Sequence, residues 1–252
     1  MAGSETVGRL QDRIALVTGA TRGIGRAVAL RFADEGARLI LVGRTTGALE
    51  EVDDEVQKRS GFPATLVPMD LTDFDAIDRL GAAIFERHGK LDALVGNAGM
   101  LGILSPLAHT DPKVWDQVMA INMTANWRLI RSMDPLLRLS DAGRVVLVTS
   151  TVGHSPRAYW SAYAVSKAAL EMIAKMYAEE MVETTVRVNL LNPGATRTNM
   201  RARAYPGEDP NDLKAPDSIT EDFLQLCEPT CMLNGAMITA KERTAQGAAE
   251  EA

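Results

Sequence analysis

Tyr163 and Lys167 stand four residues apart, in the segment Tyr163-Ala164-Val165-Ser166-Lys167. On a helix that spacing puts a phenol and an ammonium on one face. The same face continues through Leu170, Ala174, Tyr177 and Met181, so Lys167 lies on the stripe that should pack inward. A lysine is almost never buried without a partner. Either it snorkels from the first helical turn, or it stands as a positioned cation beside the phenol. In the second case, opposite charges ~4 Å apart attract by about 4 kcal/mol at an effective dielectric near 20. That lowers a tyrosine pKa by roughly 3 units, toward neutrality, and makes the phenol both an acid and a base at physiological pH. Asn122 is a second polar residue on an apolar stripe, among Val118, Met119, Ala125 and Leu129. A buried amide needs partners. Two roles stand level for it: satisfying the backbone at a helix irregularity, or relaying protons through water.

A third feature is the run Thr18-Gly19-Ala20-Thr21-Arg22-Gly23-Ile24-Gly25. It sits between an apolar run and a helix-like segment. Glycines let a strand turn sharply and let backbone N–H groups approach a phosphate at the positive end of a helix. The spacing, Gly-x3-Gly-x-Gly, is as compatible with a tight turn as with binding, but a strand before and a helix after are what phosphate binding requires. A carboxylate at the end of the second strand would bind a ribose 2′-hydroxyl and select NAD, whereas an arginine there accommodates a 2′-phosphate. Here the residue is Arg44, and Arg22 in the glycine turn can approach the same place. Two guanidiniums facing one phosphate make strong, forked hydrogen bonds; otherwise they are solvated surface arginines. NADP(H) is favoured over NAD(H).

These residues need a scaffold. Apolar runs at 14–17, 39–42, 65–69, 91–95, 145–148, 186–191 and, more weakly, 236–239 read as strands buried on both faces. Helix-length segments at 24–35, 46–59, 74–88, 112–139 and 162–182 alternate with them. The pattern predicts an α/β fold, a Rossmann-like doubly wound, mainly seven-stranded parallel sheet with helices on both faces. No repeat or linker divides the chain, so one domain over 1–252 is expected. Residues 198–218, rich in Pro, Asp and Arg, are expected to form a loop or lid, and the polar tail 241–252 to fray.

Composition narrows the function further. The chain is 46% hydrophobic and 24% charged, an ordinary globular mix. Its 27 basic and 33 acidic side chains give −6, poor footing for holding a polyphosphate backbone, and 5% aromatic residues leave few rings for stacking on bases. No apolar run reaches a membrane span, and MAGSETVGRLQDR has no apolar signal core. Nucleic acid and membrane are excluded as partners, and a cytoplasmic protein is expected. Cys227 and Cys231 read as buried or inert thiols in a reducing compartment.

With these motifs in order, the chain resembles the short-chain dehydrogenase/reductase family. The resemblance covers roughly residues 10–240. It is carried by the glycine turn, Asp70 after the third strand, Asn97-Ala98-Gly99 after the fourth, Asn122, Ser150, Tyr163-x3-Lys167 and Pro193-Gly194. The segments GNAGMLG, SDAGRVVLVTSTVG, NPGATRT and MRARAYPGEDP look most like its bacterial YciK-like branch. The resemblance implies that Tyr163 is the catalytic acid/base and that Lys167 tunes it and holds the nicotinamide ribose. Ser150 would hydrogen-bond the substrate oxygen, and Asn122 would keep a water in line with Lys167. It implies a cofactor bound by Gly19, Thr21, Arg22, Gly23, Ile24, Gly25 and Arg44, with Asp70 and Leu71 at the adenine. Asn97, Ala98 and Gly99 would line the ribose region, and Pro193, Gly194, Thr196 and Thr198 would pass the carboxamide. The implied activity is NADP(H)-dependent interconversion of a small-molecule carbonyl and a secondary alcohol, in a homodimer or homotetramer joined through helices 112–139 and 162–182. The alternatives are an NADPH-binding regulatory protein, or an epimerase or dehydratase of the same family without net redox.

Three departures stand out: Gly96 where the family writes Asn, no glycine before the sixth strand, and a last strand lacking the usual Asp-Gly-Gly ending. Leu101, Ile103 and Met200 are expected to border the substrate pocket. Arg197, Arg201 and Arg203 either greet an acidic group or, slightly favoured, are solvated and counter Glu208 and Asp209. His154, four residues after Ser150, reads as solvated or capping rather than catalytic.

Overall fold

The structure, a computed structural model, describes residues 7–241. Its seven strands are β1 (Ile14–Thr18), β2 (Arg38–Gly43), β3 (Thr65–Pro68), β4 (Ala93–Gly96), β5 (Arg144–Val148), β6 (Arg187–Asn192) and β7 (Met237–Thr239). They form one sheet in the order β3-β2-β1-β4-β5-β6-β7, every neighbouring pair parallel. Parallel strands need crossovers, and the helices supply them: α1 (Gly23–Asp34), α2 (Thr46–Ser60), α3 (Phe74–His88), α4 (Pro112–Met119), α5 (Ala125–Arg138), α6 (Ser161–Glu180), α7 (Asn199–Ala204) and α8 (Thr220–Cys227).

Alternation along the strands fills both faces. Ala15, Val17, Leu39 and Leu41 pack with Val28 and Phe32 of α1, Leu49 and Val52 of α2, and Phe223 of α8. Ile14, Leu16, Ile40 and Val42 point the other way, toward Ile77 of α3, Leu129 and Met133 of α5, and Leu170 of α6. The apolar runs of the central strands thus become a core two layers thick. Because the chain winds outward from β1 in both directions, the order reverses between β1 and β4, and a crevice opens at the carboxyl ends of these strands.

The amino ends of the same strands are tied by a buried polar cluster. Asp92, fully buried just before β4, accepts from the Ile14 N–H at 2.9 Å, from Lys90 at 2.9 Å and from the Ser140 hydroxyl at 2.6 Å. Arg13, before β1, lies 3.3 Å from Asp92 and donates to Ala142 O at 2.6 Å. A buried carboxylate is tolerable only with such partners.

Three segments differ from the reading of the sequence. The helix expected over 112–139 is interrupted at 120–124 by a π-turn, in which Ala125 N–H donates to Ala120 O. The loop expected over 198–218 contains α7, capped by the Thr198 hydroxyl accepting from Arg201 N–H at 3.2 Å. Helix α8 was not anticipated: it is eight residues long, too short for periodicity to declare, and is held by burial of Phe223, Leu224 and Cys227. Of the tail expected to fray, only Lys241 falls within the described residues. Both cysteines are buried free thiols, and burial pushes the Cys227 thiol up.

Candidate functional site

A cavity of about 880 Å³ occupies the crevice above β1 and β4. The glycine turn forms one wall, with Gly19, Thr21, Arg22, Gly23 and Ile24 on its surface. Gly25 lies beneath, where a Cβ would stand 2.3 Å from Gly19 O, so the turn closes only around a glycine. Arg44 follows β2 at the cavity edge; both it and Arg22 are exposed, and neither side chain has a hydrogen bond or ion pair among the described residues. Asp70 and Leu71, after β3, complete this end. The Thr72 backbone N–H, at 2.9 Å, and the Thr72 hydroxyl, at 2.8 Å, hold the Asp70 carboxyl below its usual range, with a smaller pull from Arg44.

Asn97, Ala98 and Gly99 line the floor after β4. The Asn97 amide donates to Thr18 O at 2.9 Å, so this side chain braces the glycine turn. On the far side, Pro193, Gly194, Thr196 and Thr198 follow β6 and border the cavity.

Ser150, Tyr163 and Lys167 share the opposite end. Tyr163 is 8% exposed and Lys167 3%. The lysine does not snorkel: its Nζ donates to Val148 O at 2.7 Å and lies 5.8 Å from the centre of the Tyr163 ring. The expected tuning is reversed here. Burial pushes the Tyr163 phenol up to about 12, against a smaller opposing effect of the Ser150 hydroxyl. Burial also pulls Lys167 down to about 8, opposed by Glu171. Loss of water penalises both charged forms, and the ammonium is directed at a carbonyl rather than at the phenol oxygen.

This burial makes the lysine a burden on the fold. A shift from 10.5 to about 8 corresponds to roughly 3 kcal/mol at neutral pH. The cost is full below about pH 8. It fades as pH rises to 10.5, because there the unfolded chain keeps a proton that the folded chain has released. Relative to Lys167→Met, which cannot titrate there, the wild-type protein should therefore gain stability as pH rises from about 8 to 10.5, and the variant should lose turnover. Calorimetry showing a Tm difference between the two proteins that stays constant across that window would contradict this.

Asn122 is buried in the π-turn and does not line the cavity; its neighbour Ile121 does. Its amide clamps the loop after β4, accepting from Met100 N–H at 2.7 Å and donating to Met100 O at 2.9 Å and Ser166 Oγ at 2.9 Å. The Asn122 carbonyl, released by the irregular helix, accepts from Asn126 at 2.9 Å. Gly96 explains that contact: a Cβ there would stand 2.4 Å from Asn126 Oδ1, so the missing family asparagine leaves room for an amide from α5.

Leu101 and Met200 line the cavity, but Ile103 is 63% exposed and does not. Arg201 pairs with Glu208 at 2.5 Å, whereas Arg197 and Arg203 reach the cavity without an ion pair among the described residues. Trp160 was overlooked in the sequence. It stands three residues before Tyr163, one turn earlier on the same side. Its ring meets Tyr163 edge-on, with centroids 5.7 Å apart, and meets Tyr205 at the end of α7 at 5.8 Å. Arg157 donates to the Tyr205 hydroxyl, and Arg201 lies 3.8 Å over the Tyr205 ring. The lid helix is thereby clasped to the wall beside Tyr163.

Among the described residues, no group of three His, Cys, Asp or Glu could hold a metal ion, and no helix is long and apolar enough to cross a membrane. The sheet order, the glycine turn and the Tyr-x3-Lys pair on one cavity together define a class, and the family model described as short chain dehydrogenase matches residues 13–209. The chain belongs to the short-chain dehydrogenase family of oxidoreductases, in its YciK-like branch. It is 41% identical over 219 residues to the oxidoreductase YciK of Escherichia coli strain K12, covering 86% of each chain. A short chain dehydrogenase from Pseudomonas syringae superposes with a TM-score of 0.91 at 38% identity, covering 93% of this chain and 97% of that one. One from Shigella flexneri 2a strain 301, complexed with NADP, gives 0.89 at 39% identity, covering 92% and 98%.

Proposed function

We propose that the protein is an NADP(H)-dependent oxidoreductase that interconverts a small-molecule carbonyl and a secondary alcohol, with Tyr163 as acid/base, within one domain. The observation that carries this reading is the composition of one cavity: Arg22 and Arg44, whose side chains have no ion pair among the described residues, at one end and Ser150, Tyr163 and Lys167 at the other. The crystallised relative that holds NADP supports the choice of cofactor.

The residues present fit a phosphorylated dinucleotide. The start of α1 presents backbone N–H groups over a turn that a Cβ at Gly25 would fill. Arg22 and Arg44 would hold the 2′-phosphate, Asp70 and Leu71 would border the adenine, and Asn97 through Gly99 would lie along the ribose. When bound, the nicotinamide supplies or accepts the hydride. Tyr163, protonated up to about pH 12, gives its phenolic proton to the oxygen of the reduced carbonyl. Ser150 holds that oxygen, and Lys167 keeps a positive charge behind the phenol. Asn122 acts indirectly, clamping the loop at Met100 and presenting the π-turn. Trp160, Leu101 and Met200 exclude water from the reacting carbon.

The test is a panel of aldehydes and ketones with NADPH oxidation followed by fluorescence. Consumption of NADPH with stoichiometric alcohol supports the reading; product formed without net NADPH loss would replace it by an epimerase or dehydratase, and NADPH binding without any conversion by a regulatory protein.

A cytoplasmic setting fits the two free thiols. We also assign a homodimer or homotetramer to the faces of α5 and α6. Trp127, Val165, Met172 and Met176 are 45%, 42%, 58% and 56% exposed there, more apolar surface than a solvated helix pair needs. Met172→Glu with Met176→Glu should shift the protein to a smaller species by light scattering. An unchanged mass would place the interface elsewhere.

A further inference from the structure

Glu171 lies one helical turn beyond Lys167 on α6 and is only 5% exposed, yet it has no part in the chemistry above. Its Oε1 accepts the Thr149 hydroxyl at 2.6 Å and hydrogen-bonds Nδ1 of His154 at 3.0 Å. Both partners come from the stretch that leaves β5, and Ser150 lies between them in sequence. The same stretch receives Lys167, through Val148 O. Two successive turns of α6 are therefore pinned to residues 148–154, with the Ser150 hydroxyl carried in the middle. Gly153 permits the close approach: a Cβ there would stand 2.6 Å from Glu171 Oε1 and 3.1 Å from Lys167 Cβ.

A buried carboxylate needs either neutralisation or compensating charge. The Thr149 hydroxyl and the His154 ring supply hydrogen bonds. Lys167 supplies the charge, from the adjacent turn and without a direct ion pair. Other titratable groups are remote or outward. On α6, Tyr163 lies on the cavity side and Lys175 is exposed. β5 and β6 carry Arg144 and Arg187, both at the opposite end of the sheet. The π-turn carries none, and Lys113 and Asp116 of α4 make no ion pair with the cluster. His154, whose side chain is 41% exposed, is the member open to solvent.

We propose that Glu171 is a positioning residue: its carboxyl group, tied to Thr149 and His154 one helical turn beyond Lys167, holds the Ser150 segment in register with Tyr163 and Lys167. The proposal rests on the reading of Ser150, Tyr163 and Lys167 as the reacting machinery. In keeping with it, Glu171 is the one influence that opposes the downward pull of burial on Lys167. Without that carboxylate the ammonium gives up its proton at lower pH.

Glu171→Gln keeps the size and removes the charge. With the fold unchanged by circular dichroism, the alkaline limb of kcat/KM for carbonyl reduction should move to lower pH by roughly one unit. The pH dependence of NADP⁺ affinity, read by tryptophan fluorescence without turnover, should move in the same direction. Glu171→Asp, which retains the charge, should leave both limbs near the wild-type position even where kcat falls. The binding readout reports on Glu171 even if no carbonyl is turned over, so failure of the proposed activity and failure of this inference are distinguishable. Wild-type-like limbs in both readouts for Glu171→Gln would overturn the proposal. Should Glu171→Gln not fold, Thr149→Val and His154→Ala each remove one tether. Both are expected to move the limbs the same way by less, and two unshifted variants would overturn it equally.

Discussion

Tyr163→Phe is expected to lower turnover by about 10²- to 10⁴-fold while leaving NADPH binding intact. The ring is buried against Trp160, and phenylalanine preserves that edge-on contact, so only the hydroxyl is lost. What disappears is the proton donor facing Ser150. Because burial holds the phenol at about 12, it remains a filled donor across the physiological range. The partner that titrates first is Lys167, at about 8, so wild-type carbonyl reduction should fall as pH rises through that value. Stopped-flow NADPH oxidation, paired with fluorescence binding, separates the two effects. Retained turnover in Tyr163→Phe would remove this residue from the chemistry.

Arg44→Asp is expected to weaken NADPH by about 100-fold, the worth of one or two charge-assisted hydrogen bonds together with a reversed charge. NADH should be little affected, because a carboxylate at the end of the second strand suits a ribose hydroxyl. Among the described residues this arginine has no other side-chain partner. It stands exposed at the cavity edge, and Asp70, which feels its charge, already accepts both hydrogen bonds of Thr72. Arg22, at the start of α1 with an extended backbone and no capping hydrogen bond, is equally uncommitted. Calorimetric titration with both cofactors decides the matter: equal losses would end the claim of cofactor selectivity.

The sheet was legible because its signal is redundant. Runs such as Leu39–Val42 are apolar throughout, and only burial on both faces makes such a run stable. Boundaries drifted where the strand edge is polar, as at Arg187–Asn192, whose register is set by pairing with β5 rather than by its own residues. Helices α7 and α8 escaped because six and eight residues are too few for a period to show. In the site, Tyr163 and Lys167 announced themselves as polar residues on an apolar face. Asn122 was recognised as anomalous, but its partners Met100 and Ser166 come from other parts of the chain. The direction of the tyrosine shift was read wrongly, because spacing tells which residues share a face but not where an ammonium points. Trp160 and Glu171 went unnoticed for a related reason. Each is an ordinary residue for its position, and only contacts across the fold, to Tyr205 and to Thr149, single it out.

The cluster around Asp92 bears on how such a protein can change. It fastens β1, β4 and β5 at their amino ends, through Arg13, Lys90 and Ser140, far from the cavity at their carboxyl ends. Strand register is thus secured at one rim while the loops that meet a ligand grow from the other. Substitution in the lid, or even exchange of its whole sequence, leaves that fastening untouched. The molecule is divided into a conservative rim and an inventive one, and new substrate preferences can accumulate on the second without loosening the first.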